Sequence, residues 1–199
     1  IPGDLSSAAY LITAALLLPR SELTLKAVGI NPTRTGILDV YRDMGADIRI
    51  ENITVSGGEK IGDITVKSSS LRSTVIGGPL IPRLIDEIPV IALAATQADG
   101  TTVIKDAQEL KVKESNRIET VVATLRSFGA NIEATEDGMV IQGPTPLKGA
   151  FIDSHMDHRI ALTAAVGGLI ARDETTIDGG EWIDISFPGF LELIKRLGS

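Results

Sequence analysis

The chain has 199 residues, 43% apolar and 23% charged, which is enough apolar material for one sizeable core or two small ones and an ordinary charge share that speaks against disorder. A formal net charge of −7 argues against a general binder of nucleic acid or of anionic membranes, although a local cluster of arginines can still receive a small anion. Cysteine does not occur, which excludes disulfides, thiolate nucleophiles and cysteine metal sites and fits a reducing, cytoplasmic setting.

In chain order, Gly3-Asp4 opens an apolar helix expected to run to residue 18. Its apolar part, 8–18, is short of the roughly 18 residues a membrane span needs, is interrupted by Thr13, and follows no cationic stretch of a signal peptide. A strand is expected at 23–28, then a second helix ending at Met44-Gly45-Ala46, and a strand at 47–50. Gly57-Gly58 reads as a hairpin loop, and the β-branched runs 61–66 and 73–77 read as strands. The pattern then restarts. Asp86 precedes an apolar stretch to Ala98, a strand at 101–105, a second helix ending Phe128-Gly129-Ala130 and a strand at 131–134. Asp137-Gly138 suits a tight turn pairing 131–135 with 139–143. A third copy begins at Asp157-His158, is apolar to Ala171, has a strand at 175–178 and ends at Leu197-Gly198. From Asp4 to Gly45, Asp86 to Gly129 and Asp157 to Gly198 the spacing is 41, 43 and 41 residues, the signature of an internal repeat.

The stretches 6–18, 87–98 and 158–171 are apolar nearly all round, as helices buried on every side are. Those at 118–128 and 190–197 are amphipathic and end at glycines suited to the left-handed position after a helix. The expected fold class is α/β (α+β), with strands wrapped around buried helices rather than helices outside a doubly wound sheet. No linker is evident, so one domain is expected over 1–199, in three pseudo-repeats at about 1–68, 69–147 and 148–199, the last incomplete. A chain opening Ile1-Pro2 reads as a piece of a longer polypeptide, with other segments completing the third lobe.

Polar residues gather where helices begin: Asp4, Ser6 and Ser7; Asp86 and Glu87; Asp157, His158 and Arg159; and, at the second helices, Asn31 to Arg34, Lys113 to Arg117, and Ser186. Helix N-termini favour anions. By cap preference alone, Asp4, Asp86 and Asp157 read as N-caps. Lys113, Glu114 and Arg117, if helical, put Lys113 and Arg117 on one face with Glu114 in reach of Arg117; the plain alternative is a solvated surface ion pair. His155 and His158 are the only histidines, with no third ligand in view, so no metal site is expected. Arg159 at the mouth of a buried helix suits a carboxylate or phosphate. Nothing resembles a Walker loop, a dinucleotide-binding glycine motif or a nucleophile elbow.

Five segments carry a resemblance: residues 1–10, Asn31-Pro32-Thr33-Arg34-Thr35-Gly36, Val112-Lys113-Glu114-Ser115-Asn116-Arg117-Ile118, Asp157-His158-Arg159-Ile160-Ala161, and Ser186-Phe187-Pro188. In order and spacing the chain resembles the 5-enolpyruvylshikimate-3-phosphate synthases. The resemblance implies an enolpyruvyl transferase-like domain of βαβαββ units, most of one half of a two-domain cytoplasmic enzyme of aromatic amino acid biosynthesis. It would transfer the enolpyruvyl group of phosphoenolpyruvate to shikimate 3-phosphate, without a cofactor. Substrates bind between the domains, and the N-terminal domain carries a catalytic lysine, a phosphoenolpyruvate-binding arginine and most shikimate 3-phosphate contacts. A monomer is expected, and neither nucleic acid nor membrane is an expected partner.

By the same resemblance, Asp86 accepts the proton of the attacking hydroxyl, and Glu114 protonates the methylene carbon and later removes a methyl proton. Lys113 contacts substrate, Arg117 and Arg159 bind phosphoenolpyruvate, and His158 neighbours them. Three positions depart from the family pattern: Asn116 where aspartate is common, Ile185 where many members have lysine, and Glu109 where some have asparagine. The last two are features of the class II branch. The UDP-N-acetylglucosamine enolpyruvyl transferases share the fold but lack the Lys-Glu-Ser-x-Arg and Asp-His-Arg segments, and a non-catalytic repeat scaffold is an alternative of another class.

Overall fold

The computed structural model describes residues 2–197. Helix α1 (Leu5–Leu17) starts where the Asp4 carboxylate accepts the Ser7 N–H at 2.8 Å, an N-cap that meets an otherwise unpaired donor. All of α1 except Ser7 and Leu17 is buried. Thr13, polar in an apolar helix, donates to the Ala9 carbonyl at 2.8 Å and meets the Tyr41 hydroxyl at 2.6 Å. The helix stops one residue short of expectation because Leu18 precedes Pro19 and is driven to extended backbone.

Strand β1 (Glu22–Gly29), helix α2 (Gly36–Asp43), and strands β2 (Asp47–Ser56) and β3 (Glu59–Lys67) follow, the strands forming an antiparallel sheet in the order β1-β3-β2. The β2–β3 hairpin turns on Gly57 and Gly58, with φ of 60° and 86°. Next come β4 (Val75–Ile76), two 3-10 turns at Gly78–Arg83 and Ile85–Glu87, α3 (Ile88–Ala95), β5 (Gly100–Ile104) and a 3-10 turn at Gln108–Val112. Helix α4 (Arg117–Ser127), β6 (Asn131–Ala134) and β7 (Met139–Gly143) complete a sheet in the order β4-β5-β7-β6. Last are β8 (Phe151–Asp153), α5 (His158–Ile170), β9 (Thr176–Asp178), the short α6 (Ile183–Ser186) and α7 (Phe190–Leu197), with β8 and β9 parallel.

The three apolar helices α1, α3 and α5 pack against one another at the centre, with the sheets around them. This mixed α/β arrangement is the one expected from all-round apolarity. The Asp137-Gly138 hairpin pairs Asn131 with Gln142 and Ala134 with Met139 as expected, and Gly45 and Gly129 take left-handed φ of 89° and 88° after α2 and α4. Gly198, the third such glycine, lies outside the described residues.

Several expectations shift. The strand at 73–77 shrinks to Val75–Ile76, and the stretch 87–98 becomes a 3-10 turn followed by an eight-residue helix, with Pro89 in its first turn where no donor is needed. Lys113 and Glu114 are not helical: Lys113 is extended (φ −82°, ψ −161°) and α4 begins only at Arg117. Asp86 caps nothing, because it sits inside the 3-10 turn before α3. Among the described residues no helix is long and apolar enough to cross a membrane.

Candidate active site

Four chain segments converge where α1, α3, α4 and α5 begin. Asp157 is the N-cap of α5 and fully buried; its Oδ1 accepts the Arg159 N–H at 2.9 Å. Its Oδ2 accepts both Arg117 Nε and the Ser115 hydroxyl at 2.9 Å, while Arg117 Nη2 is 3.3 Å from Oδ1. This is a two-pronged guanidinium–carboxylate pair, a geometry that arginine's planar fork matches and lysine's ammonium does not. Burial pushes the Asp157 carboxyl up, but the hydrogen bond and charge of Arg117, with Ser115 and the Arg159 N–H, outweigh it and hold the carboxyl below its ordinary value.

Arg117 opens α4 and is only 1% exposed. Its Nη1 reaches Asp86 Oδ1 at 3.3 Å and its Nη2 reaches Glu114 Oε2 at 2.5 Å, so Asp157, Asp86 and Glu114 surround one guanidinium. Asp86 in turn lies 3.7 Å from Lys113 Nζ through Oδ1 and 3.7 Å from Arg159 Nη2 through Oδ2. Lys113 also pairs with Glu109 at 3.0 Å. The Glu114 side chain is half exposed, 49%, against 28% for Asp86.

Behind Arg159 lies a buried layer. Burial lowers the Arg159 pKa, but Tyr10, Asp86 and Glu87 more than compensate and hold it above its ordinary value. Burial pushes the Tyr10 phenol up to about 12, so it stays neutral. His158, first residue of α5 and half-buried, has its pKa pulled down by burial and by Arg159, which keeps the ring uncharged at neutral pH.

The structure thus brings Asp86, Lys113, Glu114, Arg117 and Arg159 into one cluster, and places His158 at the same helix start. Arg117 is no solvated surface ion pair. Sequence reasoning treated Asp157 as a cap alone and missed that it also clamps Arg117, and it assigned nothing to Glu87, Ser6 or Ser115. Ser6 and Glu87 did carry a signal, since each belongs to a polar pair, Ser6-Ser7 and Asp86-Glu87, at the edge of an apolar run. Ile185 is exposed, 63%.

A cluster of alternating carboxylates and cations, partly open and backed by buried groups, can bind an anion and move protons at a neighbouring carbon or oxygen. The family model for EPSP synthase (3-phosphoshikimate 1-carboxyvinyltransferase) matches residues 1–194. The chain belongs to the EPSP synthase family. Proteins named 3-phosphoshikimate 1-carboxyvinyltransferase from Alkaliphilus oremlandii and Geobacillus kaustophilus are 56% and 57% identical over 197 and 199 residues. Each match covers 99% of this chain, and 46% and 47% of the relative respectively. Among solved structures, an EPSP synthase from Acinetobacter baumannii aligns with a TM-score of 0.96 at 41% identity, covering 99% of this chain and 46% of that one. The enolpyruvyl transferase NikO from Streptomyces tendae aligns with a TM-score of 0.79 at 20% identity, a likeness of fold, over 100% of this chain and 43% of that one. The chain therefore spans about half the length of the EPSP synthase relatives it matches.

Proposed function

We propose that this chain is the C-terminal part of a cytoplasmic, monomeric EPSP synthase of the class II branch. The whole enzyme transfers the enolpyruvyl group of phosphoenolpyruvate to the 5-hydroxyl of shikimate 3-phosphate and releases phosphate. The observation that carries the reading is the single Asp86–Arg117–Glu114 junction, with Arg159 on the other Asp86 oxygen. Ile185 and Glu109 support the class II assignment. The order of apolar helix, strand, second helix and strands, recurring twice and begun a third time, supports three βαβαββ-type pseudo-repeats, at about 1–68, 69–147 and 148–199, the last incomplete, within one domain. A second, N-terminal domain supplies the opposite wall of the cleft.

In this reading Asp86 takes the proton of the attacking hydroxyl as that oxygen bonds to the central carbon of phosphoenolpyruvate, and Glu114 delivers a proton to the methylene carbon. Glu114 then removes a proton from the resulting methyl group as phosphate departs. Arg159 and Lys113 meet anionic groups of the substrates, with His158 neutral beside them. Arg117 is surrounded by carboxylates, so it reaches an anion only by exchanging one. Glu114 is the partner free to leave, being half exposed while Asp157 is fully buried. A substrate carboxylate taking that place on Arg117 would release Glu114 to take up a proton from solvent and deliver it to the methylene carbon, which couples anion binding to the acid–base step.

The test uses the full-length enzyme. Phosphate release from phosphoenolpyruvate is expected with shikimate 3-phosphate and not with UDP-N-acetylglucosamine, and Glu114→Gln is expected to lower turnover by roughly 10²–10⁴-fold with substrate binding retained. Turnover with the sugar nucleotide, or with neither acceptor, overturns the reading.

A further inference from the structure

One carboxylate at this mouth takes no part in the proposed chemistry. Glu87 follows Asp86 directly, yet it is 3% exposed. Its Oε1 accepts the Ser6 hydroxyl at 2.5 Å and lies 3.7 Å from Arg159 Nη1. Ser6 Oγ also receives Arg34 Nη2 at 3.1 Å, and Arg34 is exposed at the rim. A guanidinium only donates, so Ser6 must accept from Arg34 and spend its one proton on Glu87. The direction of both bonds is fixed: Glu87 Oε1 accepts from Ser6 of α1 and stands in ion-pair reach of Arg159 of α5, with Arg34 linked through Ser6.

We infer that Glu87 is a positioning residue that holds Arg159, and through Ser6 also Arg34, in place at the anion-binding mouth without touching substrate. The inference rests on the functional reading above. Its physical ground is the difference between the two carboxylates on Arg159. Nη2 faces Asp86, which is partly exposed and, in the proposed chemistry, is neutralised when it takes up a proton; its attraction for Arg159 then falls. Nη1 faces Glu87, which is sealed from solvent and bonded to Ser6, so its grip does not depend on the catalytic step. Burial, with Asp86 adding to it, pushes the Glu87 carboxyl up, and Ser6, Arg159 and Arg34 pull it only part of the way back, so charge at Glu87 depends on the seating of these two arginines.

In the full-length enzyme, KM for each substrate, kcat and thermal midpoint are measured for Glu87→Ala, Glu87→Gln and Ser6→Ala. Glu87→Ala is expected to raise the phosphoenolpyruvate KM about tenfold, the size of one charge-assisted contact, while the shikimate 3-phosphate KM moves less than about threefold. Glu87→Gln keeps an acceptor for Ser6 but not the charge facing Arg159, so it is expected to recover only part of the loss, leaving the phosphoenolpyruvate KM raised about threefold to fivefold. Ser6→Ala combined with Glu87→Ala should be no worse than Glu87→Ala alone, because both act through one chain of bonds. A phosphoenolpyruvate KM within twofold of wild type in the Glu87 variants overturns the inference while leaving the function standing. Equal rises in both KM values with a lowered midpoint, unrelieved by glutamine, also overturn it. If Glu87→Ala does not fold, Glu87→Gln and Ser6→Ala decide, and wild-type KM values in both are the overturning result. A wild-type enzyme without turnover overturns the functional reading and this inference together.

Discussion

Arg117 and Asp157 are exposed by 1% and 0%, so neither can recruit water if its partner is lost. Truncating one member of such a pair leaves a buried charge uncompensated, which costs about 3–5 kcal/mol. Arg117→Ala, which strips Asp157 of its cation whereas Arg117 itself would keep Glu114 and Asp86, is therefore expected to destabilise the fold by about that amount in a denaturant titration, and to lower activity. Arg159 differs, because its side chain is partly open, 14% exposed. Under the proposed function, Arg159→Ala in the full-length enzyme should weaken phosphoenolpyruvate about tenfold to a hundredfold, the loss of a charge-assisted contact worth roughly 1.5–3 kcal/mol, and shikimate 3-phosphate much less. Separate KM measurements check this, and equal weakening of both would make Arg159 structural.

Among the elements, α5 brings Asp157, His158 and Arg159 to the site at one end while its middle, 160–167, packs in the core. At Gly167 an added Cβ would sit 3.0 Å from the Phe128 ring and 3.6 Å from Leu93. Phe128 is fully buried at the end of α4, so it has little room to yield. Gly167→Val is expected to cost about 1–3 kcal/mol by overpacking, seen as a lower midpoint in chemical denaturation. Because the same contact sets α4 against α5, the variant should also loosen the Arg117–Asp157 pairing at the far ends of those helices. An unchanged midpoint would mean that the two helices can separate freely, contrary to the packing described.

For the molecule as a whole, pH links the site to stability. His158 has a folded pKa below its ordinary 6.5 and Asp157 one below its ordinary 3.8, so each contributes stability that is complete above those values and lost as pH falls through the folded one. Glu87 is shifted upward from 4.5, so its contribution runs the other way, present below that value and lost as pH rises. The thermal midpoint is expected to fall on acidification from pH 7, with the final acid limb flattened in Asp157→Asn, and melting curves across pH check both. A second expectation concerns the chain alone. Its buried helices and sheets lie within 199 residues, so it should fold, but under the proposed function phosphate release from both substrates should be undetectable until the proposed N-terminal domain is supplied. Positioning between two walls of a cleft is worth up to roughly 7–11 kcal/mol in favourable cases, which one wall cannot provide. Turnover by the chain alone would overturn that expectation.

Periodicity and local chemistry by themselves determined the buried helices, the Asp137-Gly138 hairpin, the glycine helix ends and the Asp4 and Asp157 caps. Each of these depends on residues only a few positions apart. They also brought forward segments that the fold gathers together, since polar groups cluster at each helix start. Only the tertiary structure decided what those groups do. Ser6 meets Glu87 across 81 residues of sequence, and Arg117 meets Asp157 across 40. Lys113 leaves the helical face expected of it, yet reaches Asp86 from an extended backbone. Whether a charge is solvated or buried, and which opposite charge answers it, depends on the convergence of distant helix starts, and no local pattern encodes that.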